Sequence, residues 1–195
     1  MAHRPRIRIP PLELLAALHG GAFAGVAREL TAPERLLLEQ VFADSLNLDS
    51  IRIAETPIAN SPTTLGNTIR VRKGACLPDS VLVHEAMHVW QFQTQGTAYV
   101  SDSAFHQGVA LLRTGSRDAA YQVQLVPGAS ILEYTAEQQA MIVENAFLFE
   151  EWRSHPEVAR LMEEVRAARP KPFETILEEA YGSEPGRHSL FRIDW

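Results

Sequence analysis

Two histidines and a glutamate stand close together in one segment of the chain. The pattern His-Glu-x-x-His is formed by His84, Glu85 and His88. On a helix, residues four apart lie on one face, so both imidazole rings project to the same side. Two imidazoles at this spacing can bind one zinc ion (Zn²⁺), and the adjacent glutamate can reach a water on the metal. The motif therefore predicts a zinc centre with Glu85 as general base.

The residues around the motif indicate that its helix is buried. Apart from the two histidines and the glutamate, every residue from Val81 to Trp90 is apolar. Burying three such polar side chains costs free energy unless something pairs with them, and a metal ion is the simplest partner. The competing interpretation is a pair of core histidines that are satisfied by hydrogen bonds alone.

A catalytic zinc ion usually has three protein ligands and one open position, so a third ligand is required. A downstream segment rich in Ala, Met, Ile and Val carries Glu133, Glu137 and Glu144. If this segment is one helix, the three carboxylates share a stripe along it, because their spacings are close to whole turns. The spacing leaves the choice among the three open, and a solvated acidic face is the alternative for each.

Several tyrosines and histidines are candidates for a second group that stabilises an oxyanion. They are Tyr121, Tyr134, Tyr181, His106, His155 and His188. Tyr134 is favoured as a catalytic residue because it precedes Glu137 by three positions on the same predicted helix. Ordinary half-buried aromatics and surface histidines are the alternative interpretation. The single cysteine, Cys76, excludes an internal disulfide and is interpreted as a small buried thiol.

Length and composition fit one globular domain. The chain has 195 residues, of which 46% are apolar and 22% charged, and such a chain can bury a core without disulfides. The net charge of −6 argues against a general nucleic-acid binder. The chain contains no apolar run long enough to predict a membrane-spanning helix.

The chain begins with a basic and then apolar stretch that loosely resembles a secretion signal. Glu13 and His19 interrupt the apolar part, so we predict a tail with a short helix over residues 1–30 instead. Residues 31–195 are then expected to form a single domain.

Periodicity and capping signals predict the elements that position the motif. Thr31-Ala32-Pro33-Glu34 predicts the start of a helix over about 32–46. Alternating residues predict strands over 51–55 and 68–72, separated by a loop. A buried helix over 78–95 ends at Gly96, and a loop or lid follows the next helix. The helices of the second half are predicted over about 103–113, 130–152, 156–168 and 173–181.

These elements together predict an α+β fold. A small, mainly antiparallel sheet around residues 51–72 is expected to pack on the helix that bears His84. A mostly helical second half closes the cleft.

The motif and the downstream glutamate resemble those of gluzincin metallopeptidases. In several of those families the third ligand lies in Glu-x-x-Ala, often followed by Asp. Glu137-Gln138-Gln139-Ala140 matches the first part, and Met141 stands where the Asp would be. The resemblance implies a zincin-like fold with His84, His88 and Glu137 as zinc ligands. In those families the Asp usually orients one of the histidines, and in this chain Glu133 and Glu144 are the candidates to replace it.

The chain also resembles bacterial zinc-protease domains, including Vgr-related proteins and a domain associated with extracellular contractile injection systems. The similar stretches are residues 30–42, 51–53, 84–91 and 137–144. This resemblance implies a zinc-dependent peptidase in which Glu85 accepts a proton from the attacking water. A strand over 68–72, placed at the sheet edge by zincin architecture, would bind an extended peptide substrate.

Two other functions stay open at this stage. One is a non-catalytic zinc-binding domain that serves as a component or cargo of a bacterial secretion or contractile injection system. The other is metal-assisted hydrolysis of a substrate that is not a peptide. We expect a cytoplasmic protein, or one exported by a non-classical route.

Overall fold

A computed structural model describes residues 27–57, 61–96 and 123–181, and they form the α+β fold that was predicted. The α-helices are α1 (Ala32–Phe42), α2 (Asp79–Gln95), α3 (Ala136–Leu148), α4 (Glu150–Arg153), α5 (Pro156–Ala167) and α6 (Phe173–Tyr181). The strands are β1 (Ala27–Arg28), β2 (Arg52–Thr56), β3 (Thr63–Leu65) and β4 (Thr68–Arg72). The helices predicted near residues 12–18 and 103–113 lie outside the described residues. No helix in the described ranges combines the length and apolar character needed to cross a membrane.

The sheet is mixed, with the strand order β1-β2-β4-β3. The central strands β2 and β4 run parallel, whereas β1 and β3 pair antiparallel with their neighbours. The prediction of a mainly antiparallel sheet is therefore wrong for its centre. The cause is β3, which forms within the predicted loop, so that the chain crosses to the far edge before it returns as β4.

Strand β4 is an interior strand, because it pairs with β2 on one side and β3 on the other. The prediction that residues 68–72 form the substrate-binding edge is therefore wrong. In the sheet that the described residues form, β3 is the edge strand on this side.

Helix α2 begins and ends close to its predicted limits. Gly96 follows it with φ = +74°, a left-handed conformation that suits glycine. Nearly all of the helix from Leu82 to Gln93 is buried, because one side packs on the sheet and the other on α3. Buried Gln93 fixes α2 to the preceding loops: it accepts a hydrogen bond from Asn47 N at 2.8 Å and donates to Asn67 Oδ1 at 3.0 Å.

Helix α1 confirms the predicted capping box. Thr31 Oγ1 accepts from Glu34 N at 3.4 Å, and Thr31 N donates to the Glu34 carboxylate at 2.7 Å. The helix ends at Phe42, earlier than predicted, because Ala43 adopts φ = +50° and a 3₁₀ turn follows.

The long helix predicted over 130–152 is divided into three pieces. A 3₁₀ turn over Ile131–Glu133 comes first, then α3 and the short α4. The break before α3 follows from two successive capping boxes, one begun by Ser130 and one by Thr135, and the break before α4 falls at Phe149, whose backbone is extended. Each cap stops the backbone upstream from continuing as helix. Residues 133 and 134 therefore precede α3 rather than lying on it.

Candidate metal centre

His84, His88 and Glu137 come together between α2 and α3. One ligand atom from each of the three lies within 4.8 Å of the other two. The Nε2 atoms of His84 and His88 lie 3.4 Å and 3.6 Å from the two carboxylate oxygens of Glu137. The two rings meet edge to face, with centroids 5.2 Å apart. These are the three residues that the sequence motif and the gluzincin resemblance indicated as metal ligands.

The donor set fits a divalent metal ion. Bonds of about 2.0–2.1 Å at tetrahedral angles place neighbouring zinc ligands about 3.3 Å apart. The nitrogen-to-oxygen distances of 3.4 and 3.6 Å are close to that separation. Two imidazoles and a carboxylate suit zinc and also other first-row divalent metals. The geometry therefore supports a metal site without fixing which metal it holds.

Glu144 contacts the ring nitrogen of His84 that points away from Glu137. Its Oε2 atom lies 3.0 Å from His84 Nδ1. An ionised carboxylate can only accept a hydrogen bond, so Nδ1 carries the hydrogen and the lone pair of neutral His84 is on Nε2, which faces Glu137. Glu144 thus occupies the orienting role left open by Met141. Glu133 does not, because its carboxylate accepts from Ser130 N at 2.9 Å in the 3₁₀ turn.

The far side of the His88 ring is held by an amide. His88 Nδ1 lies 2.8 Å from Gln91 Oε1. Gln91 Nε2 donates to Ala136 O and to Gln139 Oε1, both at 2.9 Å. A backbone carbonyl can only accept, so the amide orientation is fixed and Nδ1 must be the donor to Gln91. Both histidines therefore present Nε2 to Glu137.

Sequence reasoning missed Gln91 and Gln139. The sequence signal is a glutamine three positions after His88, between the apolar residues Trp90 and Phe92. Both glutamines are buried, Gln91 completely, and a buried amide needs partners for its donors and its acceptor. Those partners come from α3, whose position relative to α2 cannot be read from local sequence.

Charge at the centre reflects the close approach of acids and imidazoles. Burial lowers the pKa of His84, but hydrogen bonds to Glu137 and Glu144 outweigh burial and raise it to about 9. Burial opposes ionisation of Glu137, but the hydrogen bonds from both histidines hold its pKa well below the ordinary range. In the metal-free protein, protonated His84 thus supplies part of the positive charge that a metal ion would bring.

Glu85 lies next to the metal ligands and is buried, with 6% of its surface exposed. The Thr64 hydroxyl donates to Glu85 Oε2 at 2.7 Å and lies 3.1 Å from the Glu85 carbonyl oxygen. Thr64 belongs to the edge strand β3, so the carboxylate is oriented from the sheet edge.

Tyr134 lies upstream of α3, so the prediction that it shares a helix with Glu137 is wrong. Its side chain is buried, and its hydroxyl oxygen accepts a hydrogen bond from Val126 N at 2.8 Å. This contact fixes the hydroxyl oxygen on the backbone of the preceding loop. A catalytic role for Tyr134 stays a prediction.

The other candidates are placed as follows. His155 caps α5, since its Nδ1 accepts from Glu157 N at 3.2 Å. Cys76 is exposed, which contradicts the interpretation of a buried thiol. Tyr181 ends α6. Outside the described residues lie Tyr121, His106 and His188.

Comparison with known proteins finds similarity to one protein of a bacterial secretion system. It is 28% identical, over 146 residues, to the type VI secretion system spike protein VgrG2b of Pseudomonas aeruginosa. It also resembles the solved effector domain of Pseudomonas aeruginosa VgrG2b, with a TM-score of 0.56 and 26% identity. That likeness covers 78% of this chain and 91% of the solved domain. No protein-family model matches the chain.

The two likenesses support homology between this chain and the effector domain of VgrG2b. The sequence match covers 67% of this chain but only 14% of the full spike protein. The sequence match therefore concerns a small part of the spike protein, and the structural match is to its effector domain.

Proposed function

We propose that this chain is an effector domain delivered by a type VI secretion apparatus and that it hydrolyses peptide bonds at a zinc centre. The cargo role is supported by a likeness that covers 91% of the solved effector domain. The likeness supports delivery more directly than it supports any particular reaction. Peptide hydrolysis rests on the site itself.

The observation that carries the hydrolytic proposal is the placement of Glu85. A purely structural metal site needs only its ligands. Here a further acidic residue, Glu85, which is not a member of the ligand set, is buried and is oriented by Thr64. Burial of a carboxylate is costly, and a general base next to the ligands gives that burial a function.

His84, His88 and Glu137 are the residues that would hold zinc. Bound zinc supplies Lewis acidity, which lowers the pKa of a water molecule and polarises a carbonyl oxygen. Glu85 would accept the proton of the attacking water and pass it to the leaving nitrogen. The edge of β3 would hold the substrate backbone extended beside Glu85. Together these residues suit hydrolysis of an extended peptide.

The second candidate function is a cargo domain that binds zinc without catalysis. It is favoured by the likeness to an effector domain, which carries no information about turnover. The two candidates differ in one measurable property, the dependence of peptide cleavage on Glu85.

The deciding experiment compares the parent protein with Glu85→Gln on a mixed peptide library. Elemental analysis first determines zinc in each protein. A peptidase should keep its zinc in Glu85→Gln and lose turnover by about 10²- to 10⁴-fold, the contribution typical of a general base. A zinc-loaded parent that cuts no peptide supports the non-catalytic candidate. A parent that binds no zinc contradicts both.

Delivery is tested separately in a bacterium that carries the apparatus. The tagged protein should reach the culture medium, or a neighbouring cell, when the apparatus is intact. Deletion of a sheath component should abolish this transfer. Equal export from the deletion strain would contradict the cargo role and leave the chemistry unaffected.

A further inference from the structure

We infer that Gln91 is a positioning residue that sets the tautomer of His88 and fixes the first turn of α3, where Glu137 lies, against α2. This inference rests on the zinc binding in the proposed function but not on peptide hydrolysis. Neither resemblance noted in the sequence assigns a role to Gln91.

The first step is the hydrogen bond between the amide and the ring. Gln91 is completely buried and His88 is 3% exposed, so water does not compete for His88 Nδ1. The Gln91 acceptor lies 2.8 Å away. With Nδ1–H held there, Nε2 is the ring nitrogen left to face Glu137, and the ring is restrained from rotating about its bond to Cβ.

The second step is the connection between the two helices that carry the ligands. Both donors of the Gln91 amide point to α3, one to Ala136 O and one to Gln139 Oε1. Gln139 Nε2 in turn donates to Tyr134 O at 2.8 Å. These contacts hold the backbone on the N-terminal side of Glu137, and Ala136 is its immediate neighbour. The amide that orients His88 thus also places the residue next to the carboxylate ligand.

The two histidines are therefore held by different chemistry. His84 is oriented by a carboxylate from within α3, namely Glu144. His88 is oriented by a neutral amide from its own helix, and the same amide donates to Ala136 and Gln139 on α3. Gln91 should therefore affect metal affinity through the mutual position of His88 and Glu137.

Gln93 provides a matched control for a test of this inference. It lies on α2 two positions after Gln91, is 3% exposed and makes several hydrogen bonds. Its partners are Asn47, Ser50 and Asn67, which belong to the sheet side of the molecule rather than to the metal centre. Replacing either glutamine by methionine removes a buried amide of the same size from the same helix.

The experiment measures zinc affinity by competition with a chelator for the parent, Gln91→Met and Gln93→Met. Gln91→Met should bind zinc about 10- to 100-fold more weakly, as is typical when the partner of a ligating histidine is lost. Gln93→Met should keep the parent affinity even if its melting temperature falls. Equal affinity in the parent and Gln91→Met, or equal losses in both variants, would overturn the inference.

A spectroscopic readout and a conservative variant separate the two roles of Gln91. In the zinc-loaded parent, ¹⁵N NMR of the His88 ring should show Nε2 bound to metal and a protonated, slowly exchanging Nδ1. Gln91→Glu keeps the acceptor for His88 Nδ1–H, so it should preserve this pattern, and loss of the pattern would overturn the tautomer role. It also carries the test if Gln91→Met does not fold. Gln139→Met removes an acceptor of the Gln91 amide and keeps the contact between Gln91 and His88, so it should weaken zinc binding; an affinity equal to that of the parent would overturn the helix connection.

The outcomes distinguish this inference from the proposed function. A parent that binds zinc but cleaves no peptide would contradict the peptidase and leave the role of Gln91 standing. If the parent cleaves peptides but Gln91→Met leaves the zinc affinity unchanged, the peptidase is supported and the role of Gln91 is contradicted.

Discussion

Glu144 and Glu137 approach the same imidazole from opposite sides. Oε2 of Glu144 lies 3.0 Å from Nδ1 of His84, and Oε2 of Glu137 lies 3.4 Å from its Nε2. Both acids belong to α3, where they are two turns apart, so this helix supplies one candidate metal ligand and the group that orients another. The ring of His84 is thus fixed at both nitrogens by one element.

The first prediction concerns this pair. Glu144→Gln should lower zinc affinity by about 10- to 100-fold, because an amide is uncharged and polarises the imidazole less than a carboxylate does. Competition with a chelator of known affinity measures the change. Glu133→Gln is the control, since Glu133 caps the 3₁₀ turn and does not contact the ligands in the structure. If the two variants lose affinity equally, Glu144 has no special relation to His84.

The part of the site that could be predicted from the sequence is the part set by local geometry. The four-residue spacing of His84 and His88 places both rings on one face of any helix, and the apolar flanks indicated burial. Glu137 was selected by resemblance, because three glutamates at similar spacing could not be ranked by periodicity. In the structure, the cap at Thr135 begins α3 after Glu133, so Glu133 does not share the helix of Glu137 and Glu144.

The contacts that sequence could not supply join residues distant along the chain. Strand β3 has three residues in a polar loop, and only its pairing with β4 makes it a strand. Gln91 meets Ala136 and Gln139 across a helix interface, more than 40 positions later. Such pairings depend on how α2 and the sheet pack, and no local pattern encodes that arrangement.

The second prediction identifies the third ligand. Glu137→Ala should weaken zinc binding by at least about 100-fold, more than the loss of a residue that only orients a ligand. The reason is that two of the three protein donors remain and neither can supply the missing carboxylate. The same chelator competition measures this effect. Full affinity in Glu137→Ala, together with a loss in Glu133→Ala or Glu144→Ala, would reassign the ligand.

The third prediction concerns the orientation of Glu85. Thr64→Val removes the hydroxyl that donates to the Glu85 carboxylate but keeps the shape of the side chain. Peptide turnover should fall by about 10-fold or more, since a general base depends on its position, while zinc affinity stays at the parent value. A decrease in kcat with little change in KM would be the expected kinetic pattern.

Thr63→Val is the matched control for this experiment. Thr63 is the neighbouring residue of the same strand and points to the opposite face, where it is exposed. This variant should leave turnover unchanged. Equal losses in both variants would indicate that the strand, rather than the Thr64 hydroxyl, is responsible.

The fourth prediction concerns pH and metal together. The pKa of His84 in the metal-free protein is raised from its ordinary value of 6.5 to about 9 by Glu137 and Glu144, although burial opposes the rise. A folded-state pKa above the unfolded value stabilises the fold fully below pH 6.5, and this contribution is lost as pH rises through about 9. Glu137 does not change the pH dependence of folding stability in this range, because its pKa is lowered and it is ionised throughout.

The chelated protein should therefore melt at lower temperature as pH rises from 6.5 to about 9. Zinc must displace the proton on His84, so zinc affinity should increase over the same interval. The gap in melting temperature between zinc-saturated and chelated protein should widen with pH, because binding to the folded state stabilises it by a free energy that grows with the logarithm of affinity. Glu144→Gln removes one of the two acids, so the melting temperature of the chelated protein should fall less steeply with pH in this variant. A gap that stays constant with pH would show that zinc does not compete with a proton on His84.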